Sequence, residues 1–391
     1  MAPPPNAVPR PLPRTRCRAS TARPSSTGTI PRNDADERAR GGCGRPGHHR
    51  SRQDQQGNRD MLKLLTKPLL IGALAIAALP ARAQSVTWDL ANEYPPNSVH
   101  AQSADTFIET LKQVSGGDIV VTAHHGAALG YKSLDQYDAV GDGALDLASS
   151  FATPWSGINP VFVLSSIPFL VTTPAEERLL YEIAKPYYEA VLERDNQVLL
   201  FATPWPPSGL WGNKPLDSMD ALAGVKLRTY DANGTITFGN TPATPVQLSW
   251  ADTVPQLSTG AIDAVLTSAD GGSASQLWEQ QSHFTEVNYA MPLQFVHMNR
   301  DAYEALSDEQ KAWVAEAAKA AEDFGWNLLA DRVSQNYAEM KSHGMTVVTD
   351  VDPAYIAALT EAAKPALEEW KAKMGPDAEA ILTAFEAKRA Q

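Results

Sequence analysis

The sequence predicts an α/β protein of two units, and three observations carry that prediction. Apolar strand-like runs alternate with helical periodicity from residue 86 to about residue 202. The alternation begins again after residue 205, and a long helical region then runs from residue 308 to about residue 340. Strand–helix alternation of this kind argues for mainly parallel sheets covered by helices.

Each element follows in order. Residues 86–91, Val-Thr-Trp-Asp-Leu-Ala, read as a first strand. Residues 99–114 carry Ala101, Ala104, Phe107, Ile108 and Leu111 at helical spacing. Gly116-Gly117 stops that helix, and residues 118–123 resume as strand. A short helix is predicted at 133–140, a buried strand at 144–148, a helix at 174–192 and a strand at 197–202. In the second unit, 225–229 and 262–267 read as strands and 250–257 as a helix. Residues 293–299, Leu-Gln-Phe-Val-His-Met-Asn, form another strand. Ser307-Asp308-Glu309-Gln310 supplies a cap and an acidic first turn for the long helix. A late strand is predicted at 345–348, and the last 40 or so residues are helical, interrupted by Pro365 and by Gly375-Pro376. With no long Gly/Ser linker, the chain is expected to cross between units by strands, near 203–213 and 290–297.

The N-terminus reads differently. Residues 1–60 hold 12 arginines against five acidic residues, with much Pro, Gly and Ser. So little apolar area does not offset the entropy of ordering the segment, which is expected to be a disordered or artefactual leader. At Met61 the pattern changes. Lys63 and Lys67 begin a basic start, residues 69–79 are uncharged and mostly apolar, and Ala81-Arg82-Ala83 has the small-x-small form of a signal-peptidase site. Residues 61–83 are thus expected to be a signal peptide cleaved after Ala83, with Met61 the functional start. The apolar run is too short for a comfortable membrane span.

The whole chain carries −12; residues 1–60 contribute +7 and residues 61–83 +3, which leaves −22 on residues 84–391. That charge argues against nucleic acid or an anionic membrane as partner. Both cysteines, Cys17 and Cys43, fall in the leader, so the exported body has no disulfide and no thiolate nucleophile. A bilobal body closing on a ligand by a hinge is the behaviour expected of two such units.

Catalytic signatures are missing from the text. There is no Gly-x-Gly-x-x-Gly, no Walker-type loop, no His-Glu-x-x-His and no Gly-x-Ser-x-Gly. Of the six histidines after residue 83, only His124 and His125 are adjacent. On a strand they point to opposite faces and do not share a metal.

At Gly224-Val225-Lys226-Leu227-Arg228 the sequence resembles the solute-binding subunits of tripartite ATP-independent periplasmic (TRAP) transporters, the dicarboxylate-receptor family. Other stretches are similar in the same order: Gly116-Gly117-Asp118-Ile119, Ala127-Ala128-Leu129-Gly130, residues 143–148, Ile167-Pro168-Phe169-Leu170, residues 250–263 and Leu306-Ser307 to Gln310. The resemblance spans about residues 86–385. It implies a bilobal periplasmic-binding-protein fold, α/β in class, with two mixed sheets flanked by helices, a ligand cleft and a long connecting helix. It implies capture of an organic acid in the periplasm, delivery to a membrane permease driven by an ion gradient, and no reaction. It also implies that Arg228 enters the interlobe cleft and forms a salt bridge with the ligand carboxylate. The sequence departs from the family at residues 262–272, where an acidic residue expected after Asp-Gly is absent, and it lacks a second cleft arginine known from sialic-acid receptors.

Arg228 is one of six arginines after residue 83, and its rigid fork suits a planar carboxylate, or a structural Asp. Trp155, Trp205, Trp211 and Trp250 lie in predicted loops or strand ends, either packing a lobe or facing the cleft. Together they point to a ligand with an apolar or aromatic body. Phe151-Ala152-Thr153-Pro154-Trp155 and Phe201-Ala202-Thr203-Pro204-Trp205 nearly repeat, and are expected to be equivalent rim loops. Candidates for orienting a ligand are Glu93, Asn92, Tyr131, Ser150, Thr229, Asn233, Ser268 and Asp270. Asp270-Gly271-Gly272 reads either as a tight turn exposing amides or as a helix cap without ligand contact.

The expected organisation is lobe I from residues 84–206 with about 297–345, lobe II from 207–296, and a helical segment at 346–391 packing on the lobes. The expected partners are a small organic acid and membrane-embedded TRAP permease subunits, with the receptor a monomer in the periplasm and no cofactor or metal. A periplasmic domain feeding a signalling partner is the competing function. A secreted hydrolase needs a nucleophile–base pair that no spacing here supplies.

Overall fold

The computed structural model describes residues 85–390. The basic leader, the export signal and its cleavage position lie outside them. In chain order the elements are β1 (Val86–Asn92), α1 (Val99–Val114), β2 (Ile119–His124), α2 (Ser133–Gly141), β3 (Leu147–Phe151), α3 (Pro174–Arg194) and β4 (Gln197–Pro204). There follow β5 (Ser208–Gly212), β6 (Lys226–Thr229), α4 (Ala232–Gly239), β7 (Thr244–Gln247), α5 (Trp250–Ser258), β8 (Ala264–Ser268), α6 (Ala269–Ala274) and β9 (His283–Thr285). The chain ends with β10 (Leu293–Asn299), α7 (Arg300–Glu304), α8 (Asp308–Ser342), β11 (Thr346–Val348), α9 (Pro353–Met374) and α10 (Pro376–Arg389).

Two sheets result. The first has the order β2-β1-β3-β10-β4 and the second β11-β9-β5-β8-β6-β7. Strands that follow helices pair in parallel: β1 with β2 and β3, β6 with β7 and β8, and β9 with β11. β10 is antiparallel to β3 and β4, and β5 is antiparallel to β8 and β9. These two are the first strands after the chain passes from one sheet to the other. No helical crossover precedes them, so they start where the parallel strands end and run the opposite way. That is why the sheets are mixed rather than mainly parallel. The two passages run side by side: Trp205 N donates to Pro292 O at 2.8 Å, Ser208 N to Ala290 O at 2.9 Å and Tyr289 N to Ser208 O at 2.9 Å.

The first sheet is buried on both faces. Leu90, Phe107, Leu111, Phe201 and Met298 pack in one cluster, and Trp155, Phe162, Tyr188, Leu199 and Phe295 in another. Around the second sheet Leu227, Phe238, Val265, Leu266 and Phe284 form a third. The 35-residue α8 is about 52 Å long at 1.5 Å per residue. Its start carries a full capping box of Ser307 and Gln310. It packs on α1 and β4 beside the first sheet and on α6 and β11 beside the second. α9 touches α4 and the 3₁₀ segment 160–166, while α10 packs on α3.

Two expectations are corrected here. β3 begins at Leu147, not at residue 144, because the exit from α2 takes up the intervening residues. Gly143 has φ 73° and Leu145 N donates back to Ala139 O at 2.9 Å. Pro365 does not interrupt the last helical region: α9 runs through it, and the break comes at Gly375, with φ 63°.

Candidate ligand-binding site

Strand ends converge on one place. A narrow inner cavity of about 20 Å³ lies where the two sheets face each other, and an outer one of about 260 Å³ that opens to solvent adjoins it. Tyr94 follows β1, Phe151 ends β3, Trp205 follows β4, Tyr230 follows β6 and Ser268 ends β8, and all line the inner cavity. Ser208 and Pro292 come from the starts of β5 and β10. The carboxyl ends of parallel strands are where α/β sheets bind ligands.

Arg228 lines both cavities and is 3% exposed. Nε donates to Leu248 O at 3.1 Å and one terminal nitrogen to Leu266 O at 3.2 Å. These bonds fix the plane of the guanidinium and leave donors on its outer edge. Among the described residues its side chain makes no ion pair with a carboxylate. Burial pulls its pKa down, opposed by Tyr94, Glu93, Tyr230 and Asp231, yet arginine remains a cation in proteins. The group therefore offers a desolvated positive charge with unused, coplanar donors.

Aromatic rings wall this charge. The Arg228 Cζ lies 5.4 Å from the Trp250 ring centre and 5.9 Å from that of Tyr230. Tyr94 lies 4.7 Å from Trp205 and stacks on Trp250 at 6.1 Å, and Phe151 meets Tyr230 edge-on at 5.4 Å. The indole N–H groups are used within the protein: Trp205 donates to Gln294 and Trp250 to Ser275. What they present is apolar surface. Burial pushes the phenols of Tyr94 and Tyr230 well above their usual range, so both stay neutral.

Five of the sequence-predicted site residues come together here: Arg228, Trp205, Trp250, Phe151 and Glu93. Five do not. Trp155 is fully buried in the first lobe's core and donates to Ser133 O at 2.8 Å. Trp211 is buried in the second lobe's core against Phe284. Asp270 is held by Arg332 Nε at 2.5 Å and by Val99 N at 3.1 Å. Asn233 donates to Val163 O and Ser166 Oγ. Tyr131 packs beside Ala139 and Val140. Of the remaining polar candidates, Asn92 bonds His125, Ser150 bonds Gln136 and His297, and Thr229 bonds Thr235; Ser268 lines the inner cavity.

The near-repeat is not a pair of equivalent loops. After Phe151 the chain winds into a 3₁₀ turn, Thr153–Gly157, which carries Trp155 into the core. After Phe201 it stays extended to Pro204, which buries Phe201 against Phe107 and brings Trp205 to the cavity. Sequence reasoning missed Tyr94, Tyr230, Ser208, Thr267, Ser133 and Ser249. Tyr94 and Tyr230 each lie within three residues of a predicted strand's end, and that position was the available signal. Among the described residues no three His, Cys, Asp or Glu side chains gather as a metal site, and no helix is long and apolar enough to cross a membrane.

A buried, unpaired guanidinium in an aromatic pocket between two sheets is the site of a solute-binding protein. The profile of the bacterial extracellular solute-binding proteins, family 7 (DctP), matches residues 90–373, and the chain belongs to this family. It is a transport receptor and not an enzyme; its family binds small organic acids and works with a TRAP membrane permease. The chain is similar to DctP6 of Bordetella pertussis, an extracytoplasmic solute receptor binding pyroglutamic acid (27% identity, TM-score 0.74, 77% of this chain and 100% of that one). It is similar to a marine-metagenome TRAP solute-binding protein specific for pyroglutamate (28% identity, TM-score 0.74, 78% and 99%). It is also similar to the ectoine-binding periplasmic protein TeaA of Halomonas elongata, with 26% identity over 339 residues, 83% of this chain and 96% of that one.

Proposed function

We infer that the chain is a monomeric periplasmic receptor for a small monocarboxylate with a compact ring or apolar body, which it delivers to membrane-embedded TRAP permease subunits. The observation that carries this reading is Arg228: a buried cation with free donors and no carboxylate partner among the described residues. A ligand carboxylate on its outer edge makes the charge-assisted, two-pronged pair that arginine favours. Trp205, Trp250, Tyr94 and Phe151 then cover the ligand's body. The outer cavity of about 260 Å³ gives room for a single small ring, just below the range of drug-sized ligand sites. Pyroglutamate, a five-membered lactam acid, has this form, and it is the ligand of the two solved relatives named above. Export after Ala83 fits the family's extracellular character.

A thermal-shift panel of L-pyroglutamate, ectoine, phenylacetate, glucuronate and succinate tests the reading. A ligand bound only by the folded state raises the midpoint, by about 2.7 kcal/mol of added stability at 100 times its Kd. L-Pyroglutamate is expected to give a large shift and to change the fluorescence of Trp205 and Trp250. A panel in which no monocarboxylate moves the midpoint contradicts it.

A further inference from the structure

Taking Arg228 as the carboxylate anchor, as proposed above, we propose that Glu93 sets the charge selectivity of the cavity: the receptor takes a mono-anion that carries an N–H donor and turns away dicarboxylates. Glu93 follows β1, is 4% exposed and lines the outer cavity together with Arg228. Its Oε2 accepts the N–H of Ser133, the first residue of α2, at 2.8 Å. Its Oε1 accepts the N–H of Ala251, in the first turn of α5, at 2.9 Å. One carboxylate thus caps two helices, one beside each sheet.

Helix N-termini are where the second acid group of a ligand would be held. Here the protein's own charge already fills both. Two of the four lone-pair positions on Glu93 are used, and the others accept from a donor in the cavity. Glu93 makes no ion pair with Lys or Arg among the described residues. It acts on its neighbours through space, favouring the charged form of Arg228 and of Lys132. Lys132 is engaged with Asp252 at 2.6 Å, beside the two amides that Glu93 accepts from, so those two charges offset each other. The cavity wall is left with one fixed positive charge and one fixed negative charge. A carboxylate with a lactam or ammonium N–H complements both. A dianion puts its second carboxylate beside Glu93 in a poorly solvated place, where like charges repel strongly.

Calorimetry of the purified protein with L-pyroglutamate, succinate and L-malate tests this. Wild type is expected to bind pyroglutamate at least tenfold more tightly than either dicarboxylate. Glu93→Gln removes the charge and is expected to shrink that preference at least tenfold. Glu93→Asp keeps the charge but shortens the reach, and is expected to lose affinity while keeping the preference. Lys132→Met breaks the Lys132–Asp252 contact outside the cavity lining, and is expected to change all ligands alike. If Glu93→Gln weakens every acid by the same factor, Glu93 is only a clasp between helices and the proposal fails. Wild-type binding of malate as tight as that of pyroglutamate overturns it without any variant, while leaving Arg228 as the anchor. Wild-type binding of none of the three acids overturns the proposal and the reading of Arg228 together.

Discussion

Three residues beyond Arg228, the chain buries an acid that needs its own account. Asp231 is fully buried, and its Oδ1 caps α4 by accepting from Gly234 N at 2.9 Å, while Oδ2 has no hydrogen-bond partner. Burial pushes its pKa up to about 6, against the pull of the nearby Ser166 and Thr153 hydroxyls, the Gly234 amide and Arg228. The folded protein therefore holds this proton over a range where the unfolded chain, with an Asp pKa of about 3.9, has lost it. This residue's contribution to stability falls as pH rises from about 4 to about 6 and is flat above, by about 3 kcal/mol in all. Asp231→Asn keeps a good cap and abolishes the titration. The midpoint of Asp231→Asn minus that of wild type is expected to rise by several degrees between pH 4.5 and pH 7 in calorimetric scans. A difference that does not vary with pH contradicts this account. At the same scale, Arg228 was legible because a strand motif carried it. Trp155 and Trp211 were not, since an indole near a strand end has two sides to turn to: the 3₁₀ turn at 153–157 carries Trp155 into the core, and Trp211 on β5 packs against Phe284.

Among elements, the long helices were the most legible, because their caps and periodicity are local. Ser98, Thr173 and Ser307 each accept a backbone N–H in the first turn of α1, α3 and α8. Buried strands were less so. In β3 the residues Ser149 and Ser150 interrupt any apolar run, yet both are fully buried. Their hydroxyls are satisfied by Gln294, Gln136 and His297, from other elements that sequence periodicity does not reveal. The short β7 and β9 and helices α4, α6 and α7 went unread because they hold three to eight residues each, too few for a period to register. Gly325 shows how tightly α8 is seated. Inside a free helix Ala is favoured over Gly by about 1 kcal/mol. Here a Cβ would overlap the side chains of Thr203 on β4 and Ser103 on α1. Gly325→Ala is accordingly expected to lower stability, by about 1–3 kcal/mol of overpacking, in denaturant titration. A stabilised variant shows that α8 is looser on the first sheet than this packing implies.

For the whole molecule, contacts between the two sheets' surroundings flank the cavity. Glu93 lines the outer cavity and bonds the first turns of α2 and α5, and the Lys132–Asp252 pair joins the same two helix starts. Asp270 ties α6 to α1 and α8, and Asn233 ties α4 to the 160–166 segment. Arg228 is only 3% exposed, and the chain passes between the two sheets at residues 204–208 and 285–293. Residues 84–391 carry −22, so a fixed cation in the cavity gives an incoming acid a favourable place to rest. Calorimetric titration of the purified protein and of Arg228→Met with L-pyroglutamate tests this most directly, with circular dichroism confirming that the variant folds. One-to-one binding by wild type and at least a hundredfold loss in the folded variant is the predicted result. Equal affinity in the two proteins would contradict the assignment of Arg228 as the carboxylate anchor.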